Sequence, residues 1–141
     1  MREINAQLIT DKVAELCIDA NCSLPCDIRK RIEDARSNEP WATAQGILDK
    51  IIENYNIADE NRAPICQDTG VACVFLKIGQ DVHINGDLTE AVNEGVRRGY
   101  RDGYLRKSVV KDPLRRVNTG DNTPAAVHTE IVAGDKISLT F

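Results

Sequence analysis

The chain has 141 residues, the size of one ordinary domain, and its 42% apolar and 28% charged residues are typical of a soluble globular protein. No apolar run approaches the roughly 20 residues that span a bilayer, and the N-terminus lacks the uninterrupted apolar stretch of a secretory signal. These features exclude a membrane protein and predict a cytosolic one.

The net charge of -4 is unevenly distributed along the chain. Residues 97–116 carry eight basic side chains against two acidic ones, a net charge of +6, so the rest of the chain carries -10. A nucleic-acid-binding domain is usually basic overall and uses aromatic side chains for base stacking, but only 4% of these residues are aromatic. The segment therefore favours a small anionic ligand, with a solvated helix face as the alternative for most of its cations. Its basic residues are Arg97, Arg98, Arg101, Arg106, Lys107, Lys111, Arg115 and Arg116.

Three amphipathic helices are predicted in the N-terminal half. The first has apolar residues at helical spacing over 9–20 and includes Cys17 among its core positions. The second follows Pro25. The third carries apolar side chains over four turns of 41–55, with Asn38 as its candidate cap.

Strand-length segments and a fourth helix follow. "VACVFLKI" (71–78) predicts a buried strand, and a turn leads to a short second strand, "VHI". Asp87, with Glu90 three residues later, predicts a capping box at the start of the fourth helix. This helix carries Gly95, Gly99 and Gly103, each of which costs about 1 kcal/mol relative to alanine in a helix interior. The glycines therefore predict close approach of another backbone along this helix face.

The C-terminal part is predicted to be an ordered loop followed by a hairpin. "DPLRRVNTGDNTP" (112–124) is rich in turn-forming residues. "AVHTEIV" and "KISLTF" alternate as paired strands, with candidate inward residues at Val127, Thr129, Ile131, Ile137, Leu139 and Phe141. The predicted fold class is therefore α+β, with three N-terminal helices, short strands in hairpins, one glycine-striped helix and an ordered loop. Residues 1–141 are expected to form a single domain of a longer polypeptide, because the last strand stops in mid-pattern.

The stretch "PICQDTG" (64–70) places a thiol, an amide, a carboxylate and a hydroxyl next to one another at the start of a predicted strand. Loops held on strand ends commonly present reactive groups. Cys66 has the chemistry of a metal ligand, with a small buried thiol as the alternative. Asp68 and Thr69 also suit a turn that Gly70 makes permissive.

Other candidate residues have simpler explanations. Arg106 has the planar fork that binds a carboxylate through two hydrogen bonds, or it forms an ordinary surface salt bridge. His83 and His128 lie in predicted strands and favour packed or edge positions over ligand roles. Cys17, Cys22 and Cys26 lack the paired short spacing of zinc sites.

Three long stretches carry a family resemblance: "LITDKVAELCIDANCSLPCDI", "RAPICQDTGVACVF" and "GYLRKSVVKDPLRRVNTGDNTPAAVH". Together they resemble the N-terminal part of the iron–sulfur hydro-lyases, which comprise class I fumarases and the alpha subunits of two-subunit fumarases and L-tartrate dehydratases. The resemblance implies reversible hydration of fumarate to L-malate, or dehydration of L-tartrate. It also implies a [4Fe-4S] cluster that is held by three cysteines and has one open iron.

The resemblance assigns roles to four residues. Cys66 corresponds to the first cluster ligand, and Arg106 to the arginine that binds a substrate carboxylate. Gln67 and Asp68 correspond to active-site residues that contact the substrate, and Asp68 is expected to handle a proton or position the base. Residues 118–128 are expected near the active site or a subunit interface, without individual roles.

The family's other two cluster cysteines are expected outside this chain. The chain alone is therefore predicted to bind no complete cluster and to be inactive. Its expected partners are a small dicarboxylate substrate and the remaining part of the enzyme or a beta subunit, in a homo- or hetero-oligomer, with no nucleic acid and no membrane. The alternative from another class is a non-catalytic module in which the glycine-striped helix and the basic segment bind a partner chain and Cys66 is a buried thiol.

Overall fold

The computed structural model describes residues 1–66 and 70–141, and its elements confirm the α+β class. The described residues form two compact units, one of residues 1–18 with 70–141 and one of residues 19–66. No helix in these ranges is long and apolar enough to cross a membrane. The elements are β1 (Arg2–Asn5), α1 (Ala6–Cys22), α2 (Cys26–Asn38), α3 (Ala42–Asn61), β2 (Cys73–Gly79), β3 (Val82–Asn85), α4 (Leu88–Asp102), β4 (Ala126–Val132) and β5 (Ile137–Thr140).

The strands of the first unit pair differently from the predicted hairpins. β4 and β5 do not pair with each other: β4 lies parallel to β2 on one side, and β5 lies antiparallel to β2 on the other. β3 pairs in parallel with β1, a strand that the sequence pattern did not predict. At the turn between β2 and β3, the Gln80 N–H donates to Val132 O and the Asp81 N–H donates to Gly134 O, so these two groups are not available for a β2–β3 hairpin. These bonds direct the chain away from β2 and toward β1.

Strand β2 is buried on one face only, whereas its apolar sequence predicted burial on both. Val74, Leu76 and Ile78 are buried, but Phe75 on the opposite face is 50% exposed and stacks on His128 with 4.9 Å between ring centroids. Burial of a Val, Leu or Ile side chain stabilises the folded state by about 1.5–3 kcal/mol. The inner face packs against residues of the two helices α1 and α4, among them Val13, Cys17, Val92, Val96 and Tyr100.

The outer strands differ in how much of their predicted inward face is covered. Ile137, Leu139 and Phe141 pack against the core as predicted. On β4 only Val127 does so, and Thr129 and Ile131 are exposed. The register pairs these two residues with Leu76 and Ile78 and so places them on the predicted face, but the core does not extend over this part of the edge strand.

The start of α4 and its glycine stripe confirm two predictions. The Asp87 side chain accepts a 2.9 Å hydrogen bond from the Glu90 N–H. A Cβ atom added at Gly95 would lie 2.7 Å from Thr10 O, and one at Gly99 would lie 2.7 Å from Cys17 Cβ. Helix α1 therefore approaches the glycine face of α4 more closely than any side chain would allow.

The second unit contains α2, α3 and the segments around them. Tyr55 and Ala58 of α3 are buried, and the Arg29 guanidinium lies 5.1 Å from the centre of the Tyr55 ring. The predicted cap at Asn38 is wrong, because Asn38 ends α2 and its amide donates to Asp34 O, so that Trp41 occupies the cap position of α3. Only part of the predicted apolar face of α3 is buried, and the exposed apolar side chains are Trp41, Ile47, Ile51 and Ile57.

Candidate active-site loop and cysteine

Cys66 lies in the second unit, on a segment that two hydrogen bonds hold in place. Its N–H donates to Asn54 Oδ1 of α3 at 2.9 Å, and the preceding Ile65 N–H donates to Asn21 O at 2.8 Å. The thiol is exposed, so Cys66 is not the buried thiol of the alternative interpretation. It lies at the rim of a groove of about 440 Å³ with an apolar lining that includes Leu24, Ile47, Ile51, Tyr55 and Ile65.

The remaining cysteines divide into buried and exposed thiols. Cys17 and Cys22 are buried, which confirms the predicted core position of Cys17. Burial raises the pKa of the Cys22 thiol and so disfavours its thiolate. Cys26 and Cys73 are exposed.

A [4Fe-4S] cluster with one open iron requires three thiolates directed toward one point. Within residues 1–66 and 70–141, no group of three or more Cys, His, Asp or Glu side chains converges in this way. The exposed, backbone-anchored Cys66 fits the role of one ligand, because a metal can reach its thiol without unfolding the segment. The role of Cys66 as one cluster ligand stays a prediction.

Gln67 and Asp68, the two predicted substrate-contacting residues beside Cys66, lie outside the described residues. Their predicted roles stay predictions. The neighbouring Thr69 lies outside the described residues as well.

Arg106 lies in the first unit, just beyond the end of α4. The chain leaves the helix at Tyr104, whose φ of 53° is left-handed, and Leu105 then turns back into the core, where its N–H donates to Tyr100 O at 3.1 Å. Arg106 follows this buried anchor and is itself exposed. Among the described residues it has no ion-pair partner, so none of them forms the surface salt bridge of the simpler interpretation.

The loop after Arg106 is ordered by its own hydrogen bonds, as its turn-rich sequence predicted. Val110 and Asn118 form an antiparallel bridge, and the Lys111 N–H donates to Val117 O at 2.8 Å. At the tip, Asp112 Oδ1 accepts from the Leu114 and Arg115 N–H groups at 3.0 and 2.7 Å. This short two-stranded loop, residues 104–125, is called the arginine loop below.

The eight cations of the basic segment have two different environments. The three arginines on α4 are ion-paired: Arg97 with Glu90 and Glu94, Arg98 with Glu94 and Asp11, and Arg101 with Asp102. The five cations of the arginine loop have no ion pair with any residue that the structure describes. The predicted alternative of a solvated helix face thus applies to the first three. The prediction of a small anionic ligand stays a prediction for the five cations of the loop.

Asparagine side chains organise both candidate segments, and the sequence did not indicate this. Asn54 holds Cys66, as described above. In the arginine loop, Asn118 Nδ2 donates to Lys107 O at 3.0 Å, and Asn122 accepts from two backbone N–H groups next to Arg106. The density of Asn, Asp and Gly in 118–124 was the only sequence signal, and it indicated turns without indicating what they hold.

The sequence of this chain is similar to those of known proteins. Residues 10–141 match the profile of a family described as "Fumarate hydratase (Fumerase)". The chain is 39% identical over 122 residues to the "Putative L(+)-tartrate dehydratase subunit alpha" of Methanocaldococcus jannaschii, an alignment that covers 82% of the chain and 42% of that protein. It is 34% identical over 105 residues to the "Fumarate hydratase class I, anaerobic" of Escherichia coli, with 73% of the chain and 18% of that protein covered.

A further relative is the "L(+)-tartrate dehydratase subunit alpha" of Escherichia coli, which is 26% identical over 131 residues, with 90% of the chain and 43% of that protein covered. The chain thus spans less than half the length of each of these three relatives. The profile match nevertheless covers nearly all of the chain, including Cys66 and the whole arginine loop. This chain belongs to the fumarate hydratase (Fumerase) family.

Proposed function

We propose that this chain is the substrate-binding and cluster-ligating part of an iron–sulfur hydro-lyase that interconverts fumarate and L-malate. The observation that carries the proposal is the state of Arg106, which is an exposed guanidinium without an ion-pair partner among the described residues, on a loop held by hydrogen bonds. Family membership of residues 10–141 supports the same activity.

Arg106 is proposed to bind one carboxylate of the dicarboxylate. A guanidinium presents two parallel N–H groups to a carboxylate, and such charge-assisted pairs are roughly twice as strong as neutral hydrogen bonds. Because Arg106 carries no ion pair with a described residue, binding a carboxylate would break no ion pair with any of these residues. The carboxylate would then fix the orientation of the carbon atoms that gain and lose water.

Dehydration of a 2-hydroxy dicarboxylate removes hydroxide from one carbon and a proton from its neighbour. Asp68 is proposed to accept that proton or to position the group that does, and Gln67 to hydrogen-bond the substrate. Cys66 is proposed to hold a [4Fe-4S] cluster as one of its thiolate ligands. When bound, such a cluster with an open iron supplies a Lewis acid for the departing hydroxyl group.

The remaining ligands are proposed to come from another polypeptide or from a further part of the same protein. Two relatives are named as a subunit alpha, which supports a beta subunit as the partner. The proposed location is the cytosol, where thiols stay reduced and available as ligands. L-Tartrate is the alternative substrate, because relatives with both names match this chain.

The test is anaerobic cluster reconstitution of the complete enzyme, followed by fumarate, malate and tartrate assays of wild-type, Cys66→Ala and Cys26→Ala proteins. Cys26 is the matched control because its thiol is also exposed and lies in the same unit. We expect Cys66→Ala to lose the cluster absorbance and more than about 99% of the activity, since one of three ligands is removed, and Cys26→Ala to retain both. A Cys66→Ala protein that keeps its cluster and its activity would contradict the proposal.

A further inference from the structure

Asn122 is the most deeply buried polar side chain of the arginine loop, with 0% of its surface exposed. Its Oδ1 atom accepts hydrogen bonds from the Ser108 N–H at 2.7 Å and from the Val109 N–H at 3.0 Å. Its Nδ2 atom donates to Gly70 O at 3.4 Å. A buried amide must satisfy both its oxygen and its nitrogen, and here it does so by joining segments that are far apart in the sequence.

The segments that Asn122 joins are the two that carry the proposed chemistry. Ser108 and Val109 lie just after Arg106, and the Ser108 hydroxyl donates to Arg106 O at 3.5 Å. Gly70 lies two positions after Asp68 in the sequence. Asn122 therefore connects the backbone beside the carboxylate-binding arginine to the backbone at Gly70.

Helix α4 lies beside this connection. Burial raises the pKa of the Tyr100 hydroxyl, and a hydrogen bond with the Asn122 side chain acts in the opposite direction. Three positions after Asn122, the Ala125 N–H donates to Asn93 Oδ1 of the same helix at 3.0 Å. The end of the arginine loop is thus bonded to α4 at Ala125.

Backbone hydrogen bonds hold the chain on both sides of Arg106: the Leu105 N–H donates to Tyr100 O at 3.1 Å, and the Thr119 N–H donates to Val109 O at 2.9 Å. Neither of these bonds uses the N–H of Ser108 or of Val109. Among the described residues, the Ser108 and Val109 N–H groups have Asn122 as their acceptor. Without this side chain both amides lose their partner, and the segment next to Arg106 loses its connection to Gly70.

We infer that Asn122 is a positioning residue, which acts through Arg106 by holding the Arg106 backbone segment in register with Gly70. The inference rests on the proposed function of Arg106. Displacement of a substrate-binding group by about 1 Å can cost about a hundredfold in rate. Because Arg106 is proposed to bind the same carboxylate before and during the reaction, its displacement would weaken binding uniformly and raise KM more than it lowers kcat.

The backbone at Asn122 determines which substitution tests this role. Its φ of 62° is left-handed, so Asn122→Ala would combine loss of the amide with backbone strain. Asn122→Gly removes the side chain while permitting the conformation. Asn122→Asp keeps an oxygen acceptor for the two N–H groups. Val92→Ala is the stability-matched control, because Val92 is fully buried in the core of the same unit and makes no bond to the loop.

The experiment compares these variants in the complete, anaerobically reconstituted enzyme by amide hydrogen exchange at Ser108 and Val109 and by fumarate and tartrate kinetics. For Asn122→Gly we expect exchange at both amides to rise at least about tenfold, which corresponds to about 1.4 kcal/mol. We also expect KM to rise about tenfold or more with kcat within about threefold of wild type, the signature of lost uniform binding. Asn122→Asp is expected to restore protection of the two amides but only part of the KM, because a carboxylate keeps the acceptor and cannot donate to Gly70 O. Val92→Ala is expected to lower the melting temperature without raising KM.

Several outcomes would overturn the inference. Unchanged exchange in Asn122→Gly would show that the side chain does not hold the segment. Raised exchange with an unchanged KM in active Asn122→Gly enzyme would show that the side chain holds the segment without positioning Arg106. An equal rise of KM in Val92→Ala would show that the rise reflects lower stability of the fold and not the loss of the Asn122 bonds. If the wild-type enzyme turned over neither substrate, the proposed function and the positioning role would fail together, which separates that case from the others.

Discussion

The two halves of the basic segment 97–116 contain the same residue types in opposite environments. On α4, each arginine has a carboxylate partner, and Glu94 alone accepts from Arg97 at 2.9 Å and from Arg98 at 2.7 Å. On the arginine loop, five cations have no ion pair in the described part of the chain. The net charge of +6 over this segment therefore overstates the number of unpaired cations on the helix. The cations without an ion pair among the described residues lie on the loop.

The difference shows that charge counts alone do not identify an anion-binding site. Helix geometry places residues three or four positions apart on one face, so the sequence of α4 supplies its own partners for Arg97 and Arg98. A loop held by backbone and asparagine hydrogen bonds positions its cations without neutralising them. Free cations on an ordered scaffold meet the requirement of carboxylate recognition, whereas paired cations on a helix surface contribute little beyond 0–1 kcal/mol of stability.

The sharpest test of this comparison is Arg106→Gln in the complete enzyme. Removing one partner of a charge-assisted pair costs about 2–5 kcal/mol, so we expect kcat/KM to fall about 30-fold to 5,000-fold. Because Arg106 is exposed and has no ion pair among the described residues, the melting temperature should stay within about 1 °C of wild type.

Arg115→Gln is the control for this variant, because it removes an equally unpaired cation from the tip of the same loop. Its kcat/KM is expected to remain within about threefold of wild type, since a rim charge mainly affects encounter. If both variants lost activity equally, the loop would act through its total charge and not through Arg106.

The next largest effect concerns the close packing of α4 against α1. A methyl group at Gly95 would lie 2.6 Å from Val13 Cβ and 2.7 Å from Thr10 O, and the second of these is a backbone atom. We therefore expect Gly95→Ala to reduce the free energy of unfolding by about 2–3 kcal/mol, measured by chemical denaturation.

Gly46→Ala is its matched control, because Gly46 is also a helical glycine but has no atom within 4 Å of an added Cβ. Here helix propensity acts alone and should stabilise α3 by about 0.5–1 kcal/mol, measured by hydrogen exchange within that helix. Equal destabilisation by both substitutions would contradict the close approach of α1 to α4.

The glycine face also shows what the sequence could predict. Three glycines at helical spacing lower the helix propensity of this segment, and close packing of another backbone against them offsets that cost. The cap at Asp87 was also predictable from the sequence, because donor and acceptor lie three residues apart. The four helices and the ordered loop all follow from such short-range patterns.

Strand pairing and the organisation of the candidate sites depend on long-range contacts. The alternation of β4 and β5 predicts strands on either side of a turn but does not reveal that β2 lies between them. Apolar periodicity likewise predicts the face of α3 but not whether anything covers Ile47 and Ile51, which are exposed. The bonds of Asn122 to Gly70 and of Asn54 to Cys66 span 52 and 12 positions, and residue type alone could not assign these partners.

The smallest expected effect concerns the pairing of Glu94 on α4. Hydrogen bonds from Arg98 and then from Arg97 lower the pKa of the Glu94 carboxyl below its ordinary value. A carboxyl whose pKa is lower in the folded state stabilises the fold above its unfolded pKa and loses this contribution as the pH falls through the folded value. Because the side chain is 35% exposed, the contribution should be no more than about 1 kcal/mol.

Glu94→Gln should therefore unfold more readily than wild type at pH 6, and the difference in free energy of unfolding should shrink steadily as the pH is lowered below about 4.5. Urea denaturation of both proteins between pH 3 and pH 6 measures it, with Glu60→Gln as the control for loss of an exposed helical carboxylate that has no ion pair in the described ranges. A difference that stays constant across this range would mean that the carboxylate charge of Glu94 adds nothing. Arg97 and Arg98 would then gain no stability from Glu94, and the contrast between the two halves would rest on their remaining partners Glu90 and Asp11 and on the Arg101–Asp102 pair.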